Sequence, residues 1–373
     1  MANIMVKEVN DSKLLGQFVD FPYHHYRESS YWVAPLRSQA LACFDKKANP
    51  FYESGDMQLF IAVDNGKVIG RIAAIENNAH NIHHNDRTGF FGFFECINDR
   101  EVSRQLLDSA AAWLKKRGLM TMRGPVSPST NHESGFLAVG FDDTPRLMMP
   151  YTFPYYLELM EQCGLSKIKQ LWAYSISGDK VLANDKVRRV ADIAQIKSRI
   201  TLRPVRMKHF QEEINTIADI YNKCWKDNWG FVPISEKAAF LMAKSMKSIV
   251  EPSLMQIAEI DGKPVGMIVT LYDYNEVLKK VKGKLFPFGI FHLINARKKI
   301  SWVRMMLIGI LPEHRKKGID AVLYYQASLI ARKLGISRCE GSWTLEDNDD
   351  INRIATMIGG EVYKKYNIYE KDI

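Results

Sequence analysis

The chain has 373 residues, a hydrophobic share of 46%, a charged share of 25% and a formal net charge of +9. That balance excludes a disordered chain, no apolar run reaches membrane-spanning length, and the length suits two domains of ordinary size. Five scattered cysteines with no C-x-x-C spacing argue against a disulfide framework or a zinc site, and the first segment lacks the apolar stretch of a secretory signal, so a cytoplasmic protein without a metal is expected.

Along the chain, the first strong element is a β-hairpin at 60–72, where Asn65-Gly66 supplies the two positive-φ residues of a tight turn. An amphipathic helix follows, with Val102, Leu106, Ala110, Trp113 and Leu114 on one side and Gly118 as its C-cap. The segment 124–145 then reads as a polar loop stiffened by prolines, and a boundary is expected near 185–200, with 199–204 as a new first strand. From there the pattern repeats. A second hairpin at 256–268 turns at Asp261-Gly262, and Ile61 and Ile257, Gly66 and Gly262, and Gly70 and Gly266 each stand 196 residues apart. After an insertion come a strand at 303–310, a basic turn at 312–318, and a helix with Ile319, Val322, Leu323, Ile330 and Leu334 that ends at Gly335. The helix-ending glycines Gly118 and Gly335 stand 217 apart, whereas Gly164 and Gly360 return to 196, so two offsetting insertions reconcile the copies. The expected organisation is two consecutive α/β units with mixed sheets, at 1–195 and 196–373.

Three places suggest chemistry. A strand feeding a basic, glycine-containing turn at a helix N-terminus forms an anion site, because free N–H groups and the helix dipole face the anion. Arg315, Lys316, Lys317 and Gly318 occupy that turn; an ordinary solvated turn is the plain alternative. In the first half, Asn131, His132 and Glu133 could line an acceptor pocket or simply decorate a surface loop. Within 279–300, Lys279, Lys280, Lys282, Lys284, Arg297, Lys298 and Lys299 surround an aromatic middle. That arrangement suits an anionic membrane surface, with a lid or dimer contact as the alternative. No nucleic-acid-binding motif is present, so nucleic acid is not an expected partner.

The residues 250–370 resemble the acetyltransferase (GNAT) superfamily of acyl-CoA N-acyltransferases. Arg315-Lys316-Lys317-Gly318-Ile319-Asp320 is similar to that family's R-x-x-G-x-G/A pyrophosphate loop, and 340–348 to its fifth strand with the asparagine, Asn348, that opens the last helix. Gly359-Gly360 and the run to Tyr369 resemble its closing strand. The resemblance implies tandem GNAT-like domains whose second copy holds acyl-CoA. Its strand 303–310 would splay from its neighbour, backbone groups near Ile308 and Ile310 would meet the pantetheine and thioester, and Gly318 and its neighbours the pyrophosphate. Two positions depart from the pattern: Asp320 replaces a small residue, and Ala355 stands where many relatives have a general-acid tyrosine. The corresponding turn of the first copy, Cys96-Ile97-Asn98-Asp99-Arg100-Glu101, is acidic, which makes its coenzyme site degenerate and leaves it an acceptor-pocket or scaffold role.

Over its full length the chain resembles a bacterial tandem-copy family related to bacterial ceramide synthases, through Gly92-Phe-Phe-Glu95, Gly124-Pro125, Glu133-x-Gly135, Leu285-Phe-Pro-Phe-Gly289 and Trp343-Thr-Leu-Glu346-Asp-Asn348. The expected function is acyl transfer from acyl-CoA to an amine, in one version a long-chain, lipid-type amine. Glu340 is the expected base, with His132 and Glu133 as rivals, while Asn131, Trp343 and Glu346 would meet the acceptor. A non-catalytic acyl-CoA-binding protein and an aminoacyl transferase acting on cell-wall precursors are the alternatives.

Overall fold

The computed structural model describes residues 4–284 and 289–373, so most of the motif at 285–289 lies outside the described residues. By its contacts the chain divides into two compact units: Met1–Leu171 with Val277–Ile294 and Lys364–Ile373, and Trp172–Glu276 with Asn295–Tyr363. The units are discontinuous in sequence. Most of the basic insertion and the last ten residues are compact with the first unit, whereas residues from Trp172 onward belong to the second.

In the first unit, strands Met5–Glu8, Gly55–Asp64, Lys67–Asn77 and Thr88–Cys96 pair antiparallel in succession. Thr88–Cys96 then pairs in parallel with Thr121–Gly124, which in turn takes residues Tyr369–Asp372 of the closing strand as an antiparallel neighbour. The expected hairpin is present: Asp64 pairs with Lys67, and Asn65 and Gly66 have φ of 47° and 81°. The amphipathic helix is Arg100–Lys116, capped by the Asp99 carboxylate. Its stripe Val102, Leu106, Ala110 and Leu114 is buried against Ile72, Ala74 and Phe91 of the sheet. The opposite face of the sheet buries Ile61, Ala73 and Ile75 with Phe18 and Val19 of the helix Ser12–His25.

The second unit repeats this plan. Ile200–Pro204, Met255–Ile260, Lys263–Tyr272 and Trp302–Ile310 pair antiparallel in order, and Trp302–Ile310 then pairs in parallel with Arg338–Leu345. Asp261 and Gly262 turn the hairpin at φ of 50° and 74°. The helix Ile319–Lys333 covers one face of the sheet together with Asp185–Lys197, a helix that occupies the stretch expected to be a boundary. On the other face Trp225, at the end of the helix Phe210–Trp225, packs on Gly309. Among the described residues no helix is long and apolar enough to cross a membrane.

In the first unit the long segment after Gly124 is not a solvated loop. Val126–Ser127 and Glu133–Ser134 form a small ladder of their own, and Val126, Ser129, Ser134, Phe136 and Leu137 are buried. Gly92 makes room for this segment, since a Cβ there would overlap the Val126 carbonyl oxygen. Gly92→Ala should therefore lower stability by about 3 kcal/mol, the upper range for overpacking, because a backbone atom has to move. Denaturant unfolding measures this, and a loss below about 1 kcal/mol would show that the segment yields easily.

Candidate functional site

In the second unit the strand Trp302–Ile310 carries one residue more than its antiparallel neighbour. Val269 pairs with Leu307 and Thr270 with Met305, leaving Met306 as a bulge. On its other edge the strand pairs with Arg338–Leu345 from Trp302 and Arg338 only as far as Met305 and Gly341. Among the described residues no further rung joins the two strands, although they run on to Ile310 and Leu345. Past Met305 they have parted, and peptide groups around Ile308 on that edge are free of the ladder.

Directly before the parting, Arg304 and Glu340 stand opposite one another in register, 5% and 0% exposed. Val303, Met305 and Cys339 line a space with Tyr324, Ala327 and Ser328 of the covering helix, so by alternation Arg304 and Glu340 point to the other face of the sheet. Arg304 Nε donates to Ser342 Oγ at 2.9 Å and lies 4.0 Å from Glu340 Oε1, and the Ser342 hydroxyl donates to Glu340 Oε1 at 2.6 Å. The second oxygen of Glu340 accepts from the Tyr363 hydroxyl, and the Tyr363 ring stacks on Trp302 with centroids 6.2 Å apart. Both buried charges are thereby compensated, as their desolvation requires. Tyr363 is only half-buried, so it carries the network toward the surface. Neither Arg304 nor Tyr363 is among the residues expected from sequence. The signal for Arg304 was available: it is the only charge in the apolar run 302–310.

The other expected residues of this unit are placed as follows. Ile308 and Ile310 pack partly buried against the core on the helix side. Asn348 caps the helix Asp349–Met357, its side-chain oxygen accepting from Ile351 N at 3.3 Å. Trp343 and Glu346 are half-buried, and the Glu346 carbonyl accepts from the side chain of buried Asn352 at 3.2 Å. Ala355 lies in the core, where its carbonyl accepts from Gly360 N, so no hydroxyl is available at that position.

The basic turn ends at Gly318, the N-cap of the helix Ile319–Lys333, at φ 77°. Free N–H groups of the first helical turn meet Lys316 and Lys317 there, and the side chains of both are exposed. Arg315 is directed back to the protein, donating to Ile310 O at 3.3 Å and Cys224 O at 3.2 Å. Asp320, half-buried in the first turn, opposes an anion. The helix Asp185–Lys197 packs over the turn: a Cβ on Gly318 would lie 2.9 Å from Ala194 Cβ and 3.1 Å from Val190 Cγ1. Glycine is required here by packing as well as by φ.

Asn131, His132 and Glu133 belong to the first compact unit. His132 Nδ1 lies 2.9 Å from Ser129 Oγ, which also accepts from Asn131 N at 3.2 Å. Burial pushes the His132 imidazole down to about 4, so it is neutral near pH 7. Glu133 is exposed at the edge of the small ladder. The position in this unit that matches the parted strands is filled. Phe93 N donates to Ser127 Oγ at 2.9 Å, and Val126 covers Gly92.

No family model matches the chain. It is 34% identical over 369 residues to Protein YghO of Escherichia coli (strain K12), covering 96% of this chain and 93% of that protein. It is 32% identical over 384 aligned residues to the bacterial ceramide synthase of Caulobacter vibrioides, covering 99% and 98%. The chain belongs to the bacterial ceramide synthase family. Solved structures add the fold: a tandem GNAT protein from the clavulanic acid biosynthesis pathway matches 99% of this chain and 98% of its own with a TM-score of 0.58 at 12% identity. A probable N-acyltransferase from Enterococcus faecalis V583 matches 100% and 73% with a TM-score of 0.54 at 10% identity. The fold is tandem GNAT, mixed α/β, and the family membership makes the chain an acyltransferase.

Two expectations follow from the geometry. Glu340→Gln removes a buried carboxylate charge that faces Arg304 and accepts from Ser342 and Tyr363, and should cost on the order of 3 kcal/mol in denaturant unfolding, against less than 1 kcal/mol for an exposed carboxylate. Because the folded His132 has its pKa depressed below the usual 6.5, its contribution is intact above that value and is lost as pH falls toward 4. His132→Asn should flatten that acid limb of the stability profile by roughly 1–2 kcal/mol; an unaltered profile would place His132 in free contact with water.

Proposed function

We propose that the second unit transfers an acyl group from a coenzyme A thioester to an amine. The observation that carries this reading is the parting of Trp302–Ile310 from Arg338–Leu345 directly beyond a buried Arg304–Glu340 pair, on the strand that leads into the basic turn. Free peptide N–H groups near Ile308 supply donors for the thioester oxygen as it gains charge. Lys316, Lys317 and the first turn of the following helix suit a pyrophosphate. The amine nitrogen attacks the thioester carbon, the C–S bond breaks, and the amine loses a proton. Glu340 is enclosed, so its route to that proton is through the Tyr363 hydroxyl, which it already holds. Tyr363 also offers the hydroxyl that Ala355 lacks. Within the second unit, Trp343 and Glu346 are proposed as acceptor contacts.

The name of the Caulobacter relative supports a long-chain amine as the acceptor. The basic insertion supports an anionic membrane surface as the place where such an amine is met. Phe291 and Ile294 are exposed there, and Lys279 donates to Thr144 Oγ1 at 2.9 Å, which anchors the insertion within its own unit.

The test is a thermal-shift and titration series with free coenzyme A, acetyl-CoA, octanoyl-CoA and palmitoyl-CoA, followed by thiol release with long-chain amines. A ligand at a hundredfold excess over its Kd should stabilise the fold by about 2.7 kcal/mol. Stabilisation that rises with chain length supports the lipid version; equal shifts favour short acyl groups. Lys316→Glu/Lys317→Glu, which leaves Gly318 and its packing alone, should weaken binding at least ~tenfold. Unchanged affinity in that variant, or no shift with any of the four ligands, would refute the site. Binding without thiol release would favour a non-catalytic acyl-CoA-binding protein.

A further inference from the structure

The helix Asp185–Lys197 has a second apolar side. Its inner side, Val187, Ala191 and Ala194, is buried in the core of the second unit. Yet Val190, Ile193 and Ile196 are 39%, 53% and 80% exposed, an unusual concentration of β-branched hydrophobics facing water on one short helix. At 3.6 residues per turn, Ile196, Arg189, Ile193, Lys186 and Lys197 fall within an arc of about 100°, with Val190 at its margin. The centre of this arc lies about 140° from that of the buried stripe, and the positions directly opposite the stripe are those of Asp185, Ile196 and Arg189. Cationic and apolar side chains therefore share a single outward face. Arg199, immediately after the helix, adds a further cation.

The acidic residues of the helix fall at the edge of that face. Asp185 is engaged by Arg188, with Nη2 and Oδ1 2.8 Å apart, and Asp192 lies on the same flank. Within the arc from Ile196 to Lys197 the charge is uniformly positive, with Asp185 about 20° beyond Ile196. Long basic side chains beside isoleucines match a bilayer interface, where the stems stay with the acyl chains while the charged heads reach anionic headgroups. A protein partner would have to bury three cations in a contact of helix width, which is costly unless each is paired.

We propose that the outer face of Asp185–Lys197 docks on an anionic lipid surface. This element lies in the second unit, whereas the basic aromatic insertion as far as Ile294 is compact with the first. Its inner side packs on Gly318, so docking would hold the turn Arg315–Gly318 next to the headgroup layer. The inference stands without the acyl-transfer reading, because it needs no ligand in the site.

The experiment is co-sedimentation of the full chain, without acyl-CoA, with vesicles of phosphatidylcholine alone and of phosphatidylcholine mixed with phosphatidylglycerol. Binding to the mixed vesicles only is expected, declining as salt is raised. Ile193→Ser/Ile196→Ser should lower the partition coefficient by roughly tenfold or more, and Lys186→Glu/Arg189→Glu by several-fold or more, with thermal stability unaltered because all four side chains point outward. The proposal is overturned if the chain ignores both vesicles. It is equally overturned if the helix variants bind like the parent while Phe291→Ser/Ile294→Ser loses binding, or if sedimentation velocity shows that the helix variants act by breaking a dimer.

Discussion

Arg304 is the one charge in the strand Trp302–Ile310 and Glu340 the one buried charge in Arg338–Leu345, and parallel register sets them side by side. Each would face a desolvation cost of several kcal/mol alone. Together with Ser342 and Tyr363 they form a network: Arg304 Nε donates to Ser342 Oγ, and the Ser342 and Tyr363 hydroxyls donate to the two oxygens of Glu340. The register that brings them together ends one rung later. The bulge at Met306 and the loss of parallel pairing after Met305 both begin within two residues of the point that the ion pair occupies. The free peptide edge and the approach to the basic turn both depend on that point.

The two units share one plan and treat the same position differently. In the first, parallel pairing of Thr88–Cys96 with Thr121–Gly124 also stops after a few rungs, but Val126 and Ser127 close the space, and the Phe93 N–H is satisfied by a side chain. Gly92 is where the strand admits this segment. In the second unit the facing glycine, Gly309, admits the ring of Trp225 on one side of the strand and leaves the edge itself without a ladder partner. Duplication of a fold therefore does not duplicate a site. A short segment that satisfies the free backbone groups is enough to convert a binding edge into packed core.

The charge excess is likewise distributed by structure. Lys316 and Lys317 sit at a helix N-terminus, where cations normally weaken a helix, and Asp320 partly offsets them. Retaining cations there makes sense chemically if an anion visits. The cations of Asp185–Lys197 serve a different surface, and the helix joins the two, with Ala194 and Val190 on the turn and Ile193 and Ile196 outward.

Local rules were enough to read the hairpins, since Asn65-Gly66 and Asp261-Gly262 adopt positive φ whatever surrounds them, and the stripes of Arg100–Lys116 and Ile319–Lys333 follow from helical period alone. The family motifs carried the tandem fold and the basic turn. Glu340 was legible as a residue of the strand by alternation, but not its enclosure, because Arg304 and Tyr363 come from 36 residues before it and 23 after it in the chain. Compactness, too, is a matter of space: the closing residues Lys364–Ile373 are compact with the first unit although they end the chain. Sequence by itself determined the two hairpins, the helices Arg100–Lys116 and Ile319–Lys333 and the family, since these rest on turn chemistry, periodic burial and short motifs, whereas the helix Asp185–Lys197 fell where a boundary was expected. Only tertiary structure decided which strand edge is open, which charges are buried and which helix covers Gly318, because each is set by residues distant in the chain meeting across a sheet.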